Sequence, residues 1–279
     1  MRVVRILGIT ALGALAASAA WRVETLRSER APGYHLLYLP SGRYLKAMTF
    51  GYPEVAADLI YIWSIQYYSN YQIQDRYDYL DQIYRRVIAE LDPRFVDPYL
   101  VGSMIMSVEA GRDDLALKLL SDGTAKNPGE WILPFQAGFL CYQKLADYGC
   151  ARDRFEQALQ IPGAPAAVRR LYAEMYNRLG DKRSSLRYWT EILESADSDY
   201  VRRIAWLHVH DLAIDVQLED LDHLLDRYAA ANGRPARSLE DLVRGRLIAG
   251  VPTDPNDQPY LLDRTTGRAA SASRRLLQR

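Results

Sequence analysis

The sequence predicts a mainly α fold. It reads as a helical-hairpin solenoid of stacked two-helix units, with an N-terminal membrane or signal helix and a small α+β C-terminal module. Three observations predict this. Apolar and small residues recur at helical spacing in units of about 34 residues between Tyr52 and Ser198. The clearest unit runs Phe135, Gly138, Tyr142, Ala151, Phe155, Ala158, Pro162, with large and small residues alternating where two antiparallel helices interlock. At Asn232-Gly233 the pattern gives way to a Gly-, Pro- and Asp-rich segment. A two-helix unit cannot bury its apolar face alone, so it stacks on a neighbour, and such arrays usually bind rather than transform.

Along the chain, Arg2 and Arg5 precede an uncharged run from Ile6 to Trp21. Residues 1–23 therefore read as a signal peptide or membrane anchor. Ala17-Ser18-Ala19 offers a cleavage site, while Trp21 and Arg22 suit a membrane interface. The expected location is a bacterial inner membrane, crossed once, with the body in the periplasm. The alternatives are an exported soluble body after cleavage, and a buried helix of a cytosolic protein. Residues 24–52 look like a linker, with a short extended segment at His35–Leu39.

The solenoid is expected over 53–197. Pro53 opens a helix whose apolar residues run from Val55 to Tyr71, and a second helix follows over Tyr77–Leu91, stopped by Asp92-Pro93. Tyr99–Ala110 and Asp113–Lys126 form the next hairpin, Trp131–Pro162 the third and Ala166–Asp197 the fourth. Residues 198–231 read as one long helix, 232–270 as the small module and 271–279 as a frayed basic tail. Within the module, Ser238 is expected to cap a helix over Leu239–Gly245 with Asp241 at the capping-box position. Tyr260–Asp263 and Gly267–Ala269 are expected as two strands.

Lys+Arg and Asp+Glu balance at 35 each, so no bulk field favours nucleic acid. No Gly-x-Ser-x-Gly elbow and no Gly-rich phosphate loop is present. The reading is therefore not an enzyme, with no cofactor and no small-molecule substrate. His208 and His210 lie on opposite sides of a helix and cannot share an ion. His208 with Asp211, or Asp211 with Asp215, would share a face. Asp254, Asn256, Asp257 and Asp263 are the weak candidates for calcium. Cys141 and Cys150, the only cysteines, flank the Asp147-Tyr148-Gly149 turn. They form a disulfide if their α-carbons come within about 7 Å, and are packed free thiols otherwise.

Ala151, Phe155 and Ala158, followed by Pro162, resemble the tetratricopeptide-repeat signature, with the Pro one residue early. Ala116 with Pro128, and Ser185 with Trp189, give poorer copies. The resemblance implies that the first helix of each hairpin lines a concave groove. By alignment that groove holds Val101, Ile105, Val108, Gln136, Leu140, Gln143, Arg170, Glu174 and Arg178, an apolar floor with a charged end. Tyr61, Tyr67, Tyr68 and Tyr71 would add aromatic surface or pack between helices. A groove of this kind suits a peptide or partner helix. The run from Tyr228 through Asn232-Gly233-Arg234-Pro235 to Pro259-Tyr260 resembles the C-terminal half of type II secretion major pseudopilins. That resemblance implies a long helix leading into a loop and small antiparallel sheet, and calcium near the loop. The expectation is a scaffold that binds a protein partner in the cell envelope, or else a permanent structural subunit of a large membrane complex.

Overall fold

The computed structural model describes residues 14–19, 21–22, 39–73 and 76–277. The expected signal helix and the extended segment at His35–Leu39 fall largely outside these residues. Among the described residues, no helix is long and apolar enough to cross a membrane. The described chain is mainly helical with one two-stranded sheet. It divides into two compact units, Met1–Asn127 and Pro128–Arg279. The division falls inside the 53–197 span expected as one solenoid.

In the first unit, α1 (Gly42–Met48) occupies part of the 24–52 stretch expected as a linker. Gly42 explains the difference. A Cβ there would lie 2.6 Å from the Val87 carbonyl oxygen and 2.7 Å from Glu90 Cβ. The residue that reads as a helix breaker lets two backbones close on each other. Pro53 starts α2 (Pro53–Tyr68), which stops three residues short of Tyr71. The second helix begins at Leu80 rather than Tyr77. It runs as α3 (Leu80–Ile83), a π turn (Tyr84–Ile88) and α4 (Ala89–Leu91). Next, α5 (Val96–Met104) passes into a second π turn (Ile105–Glu109), and α6 (Asp113–Lys126) closes the unit. Tyrosines fill this core: Tyr68 stacks on Tyr84, whose hydroxyl receives the Ser64 hydroxyl at 3.2 Å, and Tyr99 donates to the Pro93 carbonyl at 3.1 Å. Tyr67 and Tyr68 are thus buried, Tyr61 is half-buried, and only Tyr71 of that set is exposed.

The second unit comprises α7 (Ile132–Gln143), α8 (Tyr148–Leu159), α9 (Ala166–Arg178), α10 (Lys182–Glu194) and α11 (Asp199–Asn232), and from α8 onward each packs on the helix before. Asp147, Asp181 and Ser198 cap α8, α10 and α11, accepting the N–H groups of Cys150, Ser184 and Val201. Gly233, at φ 63°, ends α11 in the left-handed region.

Two cores meet along α11. Its first half packs Ala205 and Leu212 with Ala173, Trp189 and Ile192. Its second half packs Ile214, Leu221, Leu225 and Tyr228 with Leu239, Leu242 and Tyr260 of the module. The helix expected as a separate element from 198 is thus the last layer of one core and the base of the next. In the module, α12 (Glu240–Arg244) is not capped by the Ser238 side chain. Asp241 instead reaches back to accept the Arg237 N–H at 2.7 Å. Strand β1 (Leu261–Asp263) pairs antiparallel with β2 (Arg268–Ala270), Leu262 opposite Ala269.

The α7–α8 interface offers a direct test. A Cβ on Gly138 would sit 2.8 Å from two ring atoms of the buried Phe155. Overpacking of this kind costs about 1–3 kcal/mol, against a helix-propensity gain of about 0.5–1 kcal/mol. Gly138→Ala therefore lowers the thermal midpoint by a few degrees, read by circular dichroism; Gly129→Ala, where a Cβ meets open space, does not.

Candidate functional site

The second unit carries a surface where aromatic rings and guanidinium groups alternate. Helices α7 to α10 carry two sets of ring contacts, the pair Tyr142 and Tyr148 and the triad Tyr172, Tyr176 and Tyr188. Tyr142 lies 6.2 Å from Tyr148, and Tyr172 lies 5.2 Å from Tyr176 and 5.0 Å from Tyr188. Arg152 lies over Tyr176, Arg178 over Tyr148 and Arg187 over Tyr188. Tyr172 is buried and the other four are half-buried. Its hydroxyl meets Tyr176 at 3.1 Å and Glu156 at 3.2 Å. Burial, then the hydroxyls of Tyr176 and Tyr188, push the Tyr172 pKa up. Rings held this way offer contact area at little entropic cost.

Arg178 links this surface to a cleft of about 930 Å³. The cleft is walled by Glu174, Arg178 and Lys182 from the hairpin, by His208, Asp211 and Asp215 from α11, and by Arg274, Arg275 and Leu277 from the C-terminal segment. Arg178 pairs with Glu174 at 2.9 Å, and Lys182 with Glu219 at 2.7 Å. His208 stacks on Trp189 with ring centroids 3.8 Å apart. The shared helix face of His208, Asp211 and Asp215 serves as one wall.

The C-terminal segment corrects an expectation. Residues 271–277 of the supposed frayed tail are docked on α11. The carboxylate of Asp211 accepts the N–H of Leu276 at 2.9 Å and of Leu277 at 2.7 Å, and Asp215 accepts from Arg275 at 2.5 Å. His210 Nδ1 lies 2.8 Å from Asp211 Oδ1. Burial works against ionisation of Asp211, but these donors outweigh it and hold its pKa below the usual carboxylate value. Among the described residues His210 Nε2 is buried without a hydrogen-bond partner, so none of them completes the His–Asp pair as a nucleophile.

The nine groove residues divide between the two units. Val101, Ile105 and Val108 belong to the first unit and the other six to the second. Ile105 is buried and Val108 is 63% exposed, because the π turn winds five residues where an α turn winds fewer. Leu140 is core, packed within a helix that is apolar nearly all round. Gln136 and Arg170 are half-buried and Gln143 is exposed. Only Glu174 and Arg178 of the nine line the cleft.

Cys141 and Cys150 are joined by a disulfide, with α-carbons 5.9 Å apart. The calcium candidates have other employment. Asp254 is buried and accepts the N–H groups of Asn256 and Gln258 at 2.9 and 3.1 Å and the Ser271 hydroxyl at 2.7 Å. Asp263 accepts from Thr265 N–H and the Thr266 hydroxyl. Among the described residues, no group of three or more His, Cys, Asp or Glu could hold a metal, so Asp254, Asp257 and Asp263 do not form one. Asn256 is exposed beside them. No family model matches this chain, and no curated protein matches it.

Two outcomes test the docked segment. Asp211→Asn removes the charge that two backbone donors address, an interaction worth about 1.5–3 kcal/mol. Trypsin then cuts after Arg274 and Arg275 about tenfold faster or more, read by mass spectrometry of the released C-terminal peptide. The second outcome is a pH dependence. At Asp254 burial opposes ionisation, but the Ser273 and Ser271 hydroxyls and the two N–H groups prevail and lower its pKa to about 2. A depressed folded-state pKa gives stability that is complete above the unfolded value near 4 and lost as pH falls toward 2. The thermal midpoint therefore falls between about pH 4 and pH 2, and Asp254→Asn flattens that part of the profile.

Proposed function

We propose that this chain is a non-catalytic scaffold of the bacterial cell envelope, held at the inner membrane by its N-terminal segment, which binds a protein partner with its periplasmic body. The reading treats the helical hairpins as tetratricopeptide-like units and the C-terminal segment as a pseudopilin-like module, and places the partner in a secretion or pilus-like assembly. The carrying observation is the surface where the Tyr142–Tyr148 pair and the Tyr172, Tyr176 and Tyr188 triad are covered by Arg152, Arg178 and Arg187. Tyr and Arg dominate the residues that carry protein–protein binding energy, and a half-buried ring loses little freedom when a partner covers it. The Cys141–Cys150 bond supports a body in an oxidising compartment. The cationic start and uncharged run to Trp21 support the membrane tether. No cofactor or small substrate enters this reading.

Co-purification from detergent extract tests it. The native chain retains a stable partner, and Tyr148→Ala with Arg178→Ala weakens that partner about thirtyfold, the size of a hot-spot loss of about 2 kcal/mol. Retention of no partner by the native chain would sink the scaffold. A second reading, a permanent subunit buried in a larger complex, is favoured by the exposed apolar residues Val55, Leu59 and Ile62 on α2. Aggregation of the body in size-exclusion chromatography would select it.

A further inference from the structure

Residues 275–277 sit on α11 through contacts that ask little of their side chains. The Asp211 carboxylate takes two consecutive backbone N–H groups, Leu276 on Oδ1 and Leu277 on Oδ2. One helical turn further, Asp215 takes the Arg275 guanidinium at 2.5 Å. Positions i and i+4 share a helix face, so the two carboxylates form one template. It reads a cation followed by two N–H donors. The leucine side chains add little: Leu276 is 41% exposed, and neither leucine belongs to the two cores along α11. Nη1 of Arg275 is buried with no hydrogen-bond partner among the described residues. A segment with so few buried apolar contacts opens locally, without global unfolding. Opening strips Asp211, itself buried, of two of its donors, and a buried carboxylate without donors is costly. The vacated face therefore favours a replacement of the same chemistry.

We propose that the Asp211–Asp215 face of α11 is a binding site for an extended basic peptide of a partner protein, held in cis by residues 275–277. The segment already seated there defines the ligand: an arginine followed by two residues that keep their N–H groups. Other classes fit less well. Phosphate-bearing lipid or nucleic acid would set negative charge against two carboxylates. The interior of a partner helix has spent its N–H groups on its own carbonyls. A small cation would satisfy Asp215 and leave Asp211 without its donors. The tethered segment competes at an effective concentration on the order of millimolar, so a partner enters by adding contacts beyond these three residues. Its entry also takes Arg274, Arg275 and Leu277 out of the cleft wall. This site is separate from the tyrosine and arginine surface of the proposed function and stands without it.

The test uses the full chain and a dye-labelled peptide with blocked ends that copies residues 271–277, Ser-Ala-Ser-Arg-Arg-Leu-Leu. In the chain, Leu276→Pro with Leu277→Pro removes both N–H donors from the tethered segment and leaves Asp211 and Asp215 in place. Fluorescence polarisation then shows this variant binding the peptide about tenfold tighter than the native chain, or more. Asp211→Asn added to the variant abolishes binding, as does proline at both leucines of the peptide. Alanine for the second arginine of the peptide weakens binding about tenfold. Should the proline variant lose its native circular dichroism, Arg275→Ala replaces it; that change removes only the side-chain tie and gives a smaller gain in affinity. On the isotope-labelled native chain, excess unlabelled peptide speeds hydrogen exchange at the Leu276 and Leu277 amides, read by NMR. Absence of binding to the folded variants up to millimolar peptide overturns the proposal. Equal affinity for native chain and variants overturns it too, as does binding that survives Asp211→Asn, because either result puts the peptide elsewhere.

Discussion

The second unit depends on one constraint: α11 has to be apolar on two sides at once. Leu212 and Ile214 are two residues apart, so they point in nearly opposite directions on a helix. Leu212 belongs to the core shared with α9 and α10, and Ile214 to the core shared with α12 and Tyr260. A 34-residue helix spans about 50 Å. It joins a layer of hairpins to a module that has only three-residue strands of its own. Two such strands are marginal alone and require a helix beneath them. The module's backbone is tied to that helix by side chains: Asp222 accepts the Ala269 N–H, Asp226 takes Arg268, and Gln217 accepts the Tyr260 hydroxyl.

Balanced charge also has a local meaning. The net formal charge is zero, but the basic C-terminal segment meets acids already placed on α11. Asp211 is buried at the level where the two cores meet, and it is satisfied by backbone donors from sixty-five residues away. A buried carboxylate without such donors would be costly, so helix and segment depend on each other. One wall of the cleft is therefore made by Arg274, Arg275 and Leu277 of the C-terminal segment.

Local rules were the most legible part of the sequence. Pro53 and the Asn232-Gly233 stop mark helix ends within a residue or two, because each acts through its own backbone. The Ala151, Phe155, Ala158 spacing read correctly as an interlocking helix, all three being fully buried. Three things were not legible. The π turns leave no mark in a pattern read at the α period, so Ile105 was placed on a surface. In α7, Ile132 to Gln143 is apolar around the whole circumference, so nothing separated Leu140 inside from Gln136 at the edge. The docked C-terminal segment has no apolar periodicity, and its anchors are backbone N–H groups, which every residue possesses. The face shared by Asp211 and Asp215 was readable, but not what it holds. The tyrosine surface was visible only as an excess, twenty Tyr against five Phe.

The bridge across the α7–α8 turn has a consequence for oxidative maturation. Its two sulfurs are nine positions apart and no third thiol exists in the chain. Only one internal connectivity is available, so there is nothing for an isomerase to rearrange. Both cysteines lie in one hairpin, so closing a loop this short needs no long-range ordering of the chain. For this polypeptide, acquiring its covalent link is a single local event rather than a search among alternatives.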